Sequence, residues 1–234
     1  MMRKLLKALG VATLVVLTAG SVADADSLAF HPLKPLVAVG CVDLRFWDLR
    51  NGARMNLLSD APAKGVRSVV FSPNGKWIAL GMQNGQVSIW DCVTGRLLYS
   101  FHEHSAPVYA LRFSHGGTLL ATAGEDKRVV LYDVPHGVTV RRDDHKESVH
   151  GLAFAPDDRT LVSTSWDGTI RFWSVANHQV ALTLAHDGGV VTSVAFSRDG
   201  NLMATSGSDG TARLWPAAKF DDITASEKPR EKKR

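Results

Sequence analysis

A histidine, a hydroxyl and an aspartate recur together three times in this chain of 234 residues: His104, Thr122 and Asp126; His145, Ser163 and Asp167; His186, Thr205 and Asp209. Such a trio is the raw material of nucleophilic catalysis, where a base activates a hydroxyl and a carboxylate orients the base. That chemistry needs one exposed nucleophile beside an oxyanion hole. Here each trio is followed by an aromatic, Tyr132, Trp173 or Trp215. Threefold repetition argues for a structural part, so no catalytic residue is expected. His102-Glu-His104 suggests a metal pair, but no third ligand lies at a useful spacing. The chain has 2 Cys and no CxxC, HExxH, Gly-rich phosphate loop or Asn-x-Ser/Thr acceptor. No metal and no cofactor is expected.

The trios are positioned by a repeat. Phe-Trp47-Asp48, Ile-Trp90-Asp91, Leu-Tyr132-Asp133, Phe-Trp173-Ser174 and Leu-Trp215-Pro216 are spaced by 41 to 43 residues. Upstream of each stands a second mark: Phe30-His-Pro, Phe71-Ser-Pro, Phe113-Ser-His, Phe154-Ala-Pro and Phe196-Ser-Arg. Within one unit, Val149–Phe154, Thr160–Thr164, Thr169–Trp173 and Gln179–Leu184 are β-branched runs divided by turn residues, with Asp167-Gly168 as a hairpin turn. No stretch after residue 26 keeps a helical period. A four-stranded unit at this period is expected to stack radially. Arg141-Arg142 and Asp143-Asp144 fall between units, where a solvated loop is expected.

These five marks resemble the WD-repeat β-propeller family, in which Trp-Asp closes the third strand of a blade. The resemblance covers 26–216. It implies an all-β fold, a β-propeller of about five four-stranded antiparallel blades, roughly 26–60, 61–101, 102–142, 143–184 and 185–223. It also implies that the three trios, each with its aromatic, are buried hydrogen-bonded tetrads that lock the blades. Units one and two lack the tetrad, with Val37 and Cys41, and Leu80 and Asn84, at the equivalent places. The family often has seven blades closed by a lent N-terminal strand. Five blades are expected to close as a small ring without that clasp, the alternative being an arc completed by another copy or a partner. The fourth strand of blade five would come from Lys219–Thr224.

The family's partners meet the top face, through side chains early in the first strand and just before the tetrad Asp. By position these are Arg67, Tyr109, His150 and Thr192, and Gln83, Glu125, Trp166 and Ser208. Trp166 stands out on its own, because a Trp between Ser165 and Asp167 has no core strand to join. It is expected either to anchor a partner or to pack over the neighbouring blade. The function implied is a non-catalytic scaffold for a protein or peptide. Two alternatives are an assembly module of a larger complex and an enzyme using the central channel.

The ends carry the charge. Met1–Lys7 is basic, Ala8–Ala23 is uncharged, and Ala23-Asp-Ala25 has the small residues a leader peptidase takes. Residues 1–25 therefore read as a signal peptide, which places the protein as secreted or periplasmic, of a bacterial type, with no stable membrane span after cleavage. A buried N-terminal element in a cytoplasmic protein is the alternative. Residues 219–234 read as a basic disordered tail. The net charge of +4 divides between these ends, and residues 26–218 hold 18 positive and 18 negative side chains. That balance gives no reason to expect nucleic acid as a partner. Self-association is expected only if a sheet edge stays unsatisfied.

Overall fold

The computed structural model describes residues 27–40, 43–59, 65–187 and 189–216. The proposed leader, Cys41, the 219–234 tail and the outer strand expected within it lie outside the described residues. Among the described residues nineteen strands form five antiparallel meanders. Blade one holds β1 (Ser27–Phe30), β2 (Leu36–Gly40), β3 (Leu44–Asp48) and β4 (Arg54–Met55). Blade two holds β5 (Val66–Phe71), β6 (Trp77–Met82), β7 (Val87–Asp91) and β8 (Leu97–Phe101). Blade three holds β9 (Val108–Phe113), β10 (Leu119–Gly124), β11 (Arg128–Asp133) and β12 (Val138–Asp144). Blade four holds β13 (Val149–Phe154), β14 (Thr160–Ser165), β15 (Thr169–Ser174) and β16 (Gln179–Ala185). Blade five holds β17 (Val191–Phe196), β18 (Leu202–Gly207) and β19 (Ala212–Pro216) among the described residues.

Arg141 to Asp144 are a correction to the loop expectation. Their backbone extends β12 and pairs with Arg128–Leu131. The third strand of that blade has backbone groups to satisfy along its whole length, so the fourth strand runs on to meet them.

Side chains alternate across each strand, so a blade has two faces. One face turns to the preceding blade and the other to the following one. Phe71, Ile78 and Trp90 of blade two share a buried cluster with Leu36, Ala38 and Phe46 of blade one. Leu111, Phe113 and Leu120 of blade three join Ala79, Val87 and Ile89 of blade two. Leu152, Phe154, Leu161 and Trp173 join Ala121, Val129 and Leu131. Val194, Met203, Phe196 and Trp215 join Ala153, Val162 and Ile170. The Phe that marks each of blades two to five is thus the side chain that plugs the preceding blade. Burying one such ring is worth roughly 1.5–3 kcal/mol.

Among the described residues the blades do not close into the expected ring. Inner strands β1 and β5, β5 and β9, β9 and β13, and β13 and β17 pack in succession. Among the described residues no comparable packing joins β17 to β1. Phe30, the repeat mark of blade one, is 64% exposed, whereas Phe71, Phe113 and Phe154 are buried. Among the described residues the blades form an open arc, with the first face of blade one and the last face of blade five left uncovered.

Candidate functional site

The turns between the second and third strands are built alike in four blades. In each, a carbonyl accepts from the N–H three residues on: Met82 from Gly85, Gly124 from Lys127, Ser165 from Gly168 and Gly207 from Gly210. The residue after that carbonyl donates its own N–H to the carbonyl just before the first strand. These bonds run Gln83 to Gly65, Glu125 to Pro107, Trp166 to Ser148 and Ser208 to Val190. The turn is therefore docked on the start of its own blade. Gly168 sits at φ 77°, where a side chain would be strained, and Asp167-Gly168 is the hairpin turn expected from the sequence.

The first strand of these four blades carries a β-bulge. The pairing of β5 with β6 skips Arg67, that of β9 with β10 skips Tyr109, that of β13 with β14 skips His150, and that of β17 with β18 skips Thr192. A bulge takes a residue out of the ladder and re-aims its side chain. Here it aims three of the four strand residues at their docked turns. Arg67 Nε donates to Gln83 Oε1. Tyr109 Oη donates to Glu125 Oε2 at 2.7 Å. The His150 ring stacks on Trp166 at 4.5 Å and 7°. Thr192 departs from the pattern: it meets Ser206 Oγ at 2.9 Å and the Ser206 carbonyl at 3.2 Å. Ser208 is exposed beside it, so this fourth pair is not formed. A Thr is too short to span to the turn residue, and its hydroxyl takes the nearer groups.

Across the blade boundary Tyr109 stacks on His150 at 4.7 Å and 18°. Tyr109, His150 and Trp166 therefore form one pile of three rings over blades three and four. Trp166 is its outer plate and is 50% exposed. Trp166 therefore packs on His150 of its own blade rather than over the neighbouring blade, and half of its surface stays open to solvent. His150 Nε2 is buried with no hydrogen-bond partner among the described residues. Burial lowers the His150 pKa, with Glu125 pulling weakly the other way, so the ring is held neutral between its neighbours.

Beneath this surface lie the tetrads. In blade four His145 Nδ1 donates to Asp167 Oδ2 at 3.1 Å, and its Nε2 meets Ser163 Oγ at 2.7 Å. Trp173 Nε1 donates to the same Oγ at 2.8 Å. The hydroxyl thus accepts from the indole and donates to the imidazole, and each polar atom has a partner. Burial opposes the Asp167 carboxylate. Hydrogen bonds from the Thr169 hydroxyl and from the Lys146 and Thr169 backbones, with His145, outweigh it and hold the pKa at about 2. Blade three repeats the histidine, hydroxyl and aspartate part of this wiring, with His104 Nδ1 at 2.9 Å from Asp126 and Nε2 at 2.7 Å from Thr122. Both nitrogens of His104 are thereby engaged. The Tyr132 ring is fully buried and lies 4.3 Å from Phe101.

Blade five is a correction. Trp215 Nε1 reaches Thr205 Oγ1 at 2.9 Å, but Arg213 takes the place of the expected histidine bonds. Its Nη1 lies 2.8 Å from His186 Nε2 and its Nη2 lies 3.2 Å from Asp209 Oδ2. The equivalent Arg171 of blade four points to the Asp144 carbonyl instead. At blade five the sheet is more open, and the guanidinium fits between imidazole and carboxylate. In blade two Leu80 occupies the hydroxyl position, and Trp90 Nε1 donates to Ser88 Oγ at 2.9 Å on its own strand.

Along the inner strands a depression of about 500 Å³ is lined by Arg112, His115, Arg198, Phe154 and Phe196 among others. Its imidazole is tied to Asp158 at 2.8 Å. Cys92 is buried, and burial first, then Asp91, pushes its thiol up to about 12.

Residues 66–230 match a family model described as the IFT122 first beta-propeller. The chain is 35% identical over 114 residues to the meiotic recombination protein rec14 of Schizosaccharomyces pombe, covering 49% of this chain and 35% of that one. It is 29% identical over 163 residues to the B-type cell cycle switch protein ccs52B of Medicago truncatula, covering 68% and 33%. It is 29% identical over 117 residues to the human DDB1- and CUL4-associated factor 5, covering 47% and 12%. The chain therefore spans between 12% and 35% of these relatives' own lengths.

Proposed function

The chain belongs to the WD-repeat β-propeller family, and on that footing we propose that it is a non-catalytic scaffold that captures a protein or peptide segment on its top face. The observation that carries this is the ring pile Tyr109–His150–Trp166. Half-exposed aromatics held rigid by stacking lose little entropy when a partner covers them. The name of the human relative supports the reading, since it describes an associated factor of other proteins. The non-enzymatic part rests on the tetrads of blades three and four, whose hydroxyls and imidazoles are bonded to one another inside the blades. A metal analysis and a broad hydrolase screen should both be clean, and turnover at the inner-strand depression would overturn that part.

Affinity capture from the native host tests the surface. Replacing Arg67, Tyr109 and Trp166 together with Ala should abolish capture while circular dichroism stays unchanged. Unaltered capture would sink this site. The charge-balanced body supports a protein partner over nucleic acid.

The export reading rests on the composition of residues 1–25. Sequencing the mature N-terminus should find Asp26, and a retained Met1 would place the protein in the cytoplasm. The relatives named above are eukaryotic and lend nothing to a bacterial setting. The scaffold reading is the same in either compartment.

A further inference from the structure

We propose that a second copy of this chain docks head-to-tail on the arc, the leading face of blade one against the trailing face of blade five. This does not depend on the top-face site. The chain makes this kind of joint four times internally, always from the same positions. At the first of them, Phe71 and Val69 share a cluster with Ala29, Ala38 and Leu36 of the blade before. At the last, Phe196 and Met203 share one with Ala153 and Val162. The leading positions of blade one are Leu28 and Phe30, 59% and 64% exposed. The trailing positions of blade five include Ala195, Ala212, Leu202 and Leu214, all exposed, with Leu214 at 68%.

The two faces match as the internal ones do. Blade one offers a large ring and a branched chain, and blade five offers mainly Ala beside Leu. Phe30 would meet Ala195 and Ala204 as Phe71 meets Ala29 and Ala38. The faces differ from each other, so the contact is heterologous and each copy can give one face and receive the other. Residues 26–218 carry equal numbers of positive and negative charges, so the blades that would meet bring no net charge to the contact. Exposed apolar sheet faces of this kind mark association sites.

The test is the mass of the purified chain by sedimentation equilibrium across a range of concentrations. The expected result is species above the 25.3 kDa of one copy, growing with concentration. Phe30→Asp spoils the leading face and Leu214→Asp the trailing face. Both side chains are exposed, so each variant should fold and each alone should be monomeric. Mixed one to one, they retain one good face of each kind and should form a dimer that grows no further. A wild-type chain monomeric at every concentration, or single variants that still associate, or a mixture that stays monomeric, would overturn the proposal. Partner capture through Tyr109 and Trp166 should be unaffected in both variants, which keeps the two readings separable.

Discussion

In the blade-four network the groups of a catalytic-looking set are bonded to one another. Ser163 Oγ passes its proton toward His145 Nε2, as an activated nucleophile does, yet it also takes the Trp173 indole N–H and is completely buried. Ser163→Ala would leave a buried imidazole nitrogen and a buried indole N–H unpaired. We expect a loss of about 2 kcal/mol or more, read from the urea midpoint. Thr205→Ala in blade five removes only the Trp215 bond, where the indole is half-buried, and should cost about 1 kcal/mol. Equal losses would mean that the tetrad adds nothing beyond the indole bond. Titration separates the same groups. Burial lowers the pKa values of His31, His150 and His186 below the ordinary 6.5, so between 6.5 and the folded values the unfolded chain binds more protons. Stability should fall as pH drops below about 6.5. Asp167, held at about 2 against an ordinary 3.8, contributes fully above 3.8 and is lost on the way down to 2. A urea midpoint flat from pH 7 to pH 5 would contradict the histidine part, and His150→Gln should make that slope shallower.

The β-bulge is the element that turns a repeat into a surface. Without the skip at His150, the side chain would alternate into a blade face and could not stack on Trp166. The residue after the skip is small in each blade: Ser68, Ala110, Gly151 and Ser193. At Gly151 the reason is visible, because a Cβ there would lie 2.2 Å from Thr164 Oγ1 and 3.1 Å from the Ser193 Cα of the next blade. Gly151→Val should therefore cost about 1–3 kcal/mol and weaken top-face capture by shifting His150. Wild-type stability in that variant would show that the joint has room to give. This element also marks what the sequence discloses. The period of 41 to 43 residues and the Asp-Gly turn locate the blade-four strands almost to the residue, because β-branched runs and turn residues are local signals. The resemblance puts His150 and Trp166 on the same face, but their stacking is not a local signal: it depends on a bulge and a docked turn that bring the two rings together. Arg213 is the opposite case, a residue with no motif that displaces one. His186, Thr205 and Asp209 have the right types and spacing, but spacing does not show that a neighbouring guanidinium can compete for the same imidazole.

For the whole molecule, an arc of repeats has neighbour-dependent stability. Each blade contributes its own sheet and the joints on either side. Blade three has both faces covered, and Val108, Leu120, Val130 and Tyr132 in it are fully buried. Blade five has a covered leading face and an exposed trailing one, and in β19 the side chains are at best half-buried. Local opening should therefore be easiest at the two ends, with blade five opening below the free energy that unfolds the middle. Hydrogen exchange measured on dilute protein should show the β18 amides exchanging at least about tenfold faster than those of β10, the ratio given by a difference of about 1.4 kcal/mol. Equal protection in the two strands would mean that the end face is covered even in the single chain. The same measurement reports on the joint between copies. A second copy that covers the trailing face stabilises it by mass action, so protection in β18 and β19 should rise with protein concentration while β10 stays unchanged. In Leu214→Asp that concentration dependence should vanish and leave the end blade at its dilute-solution rate.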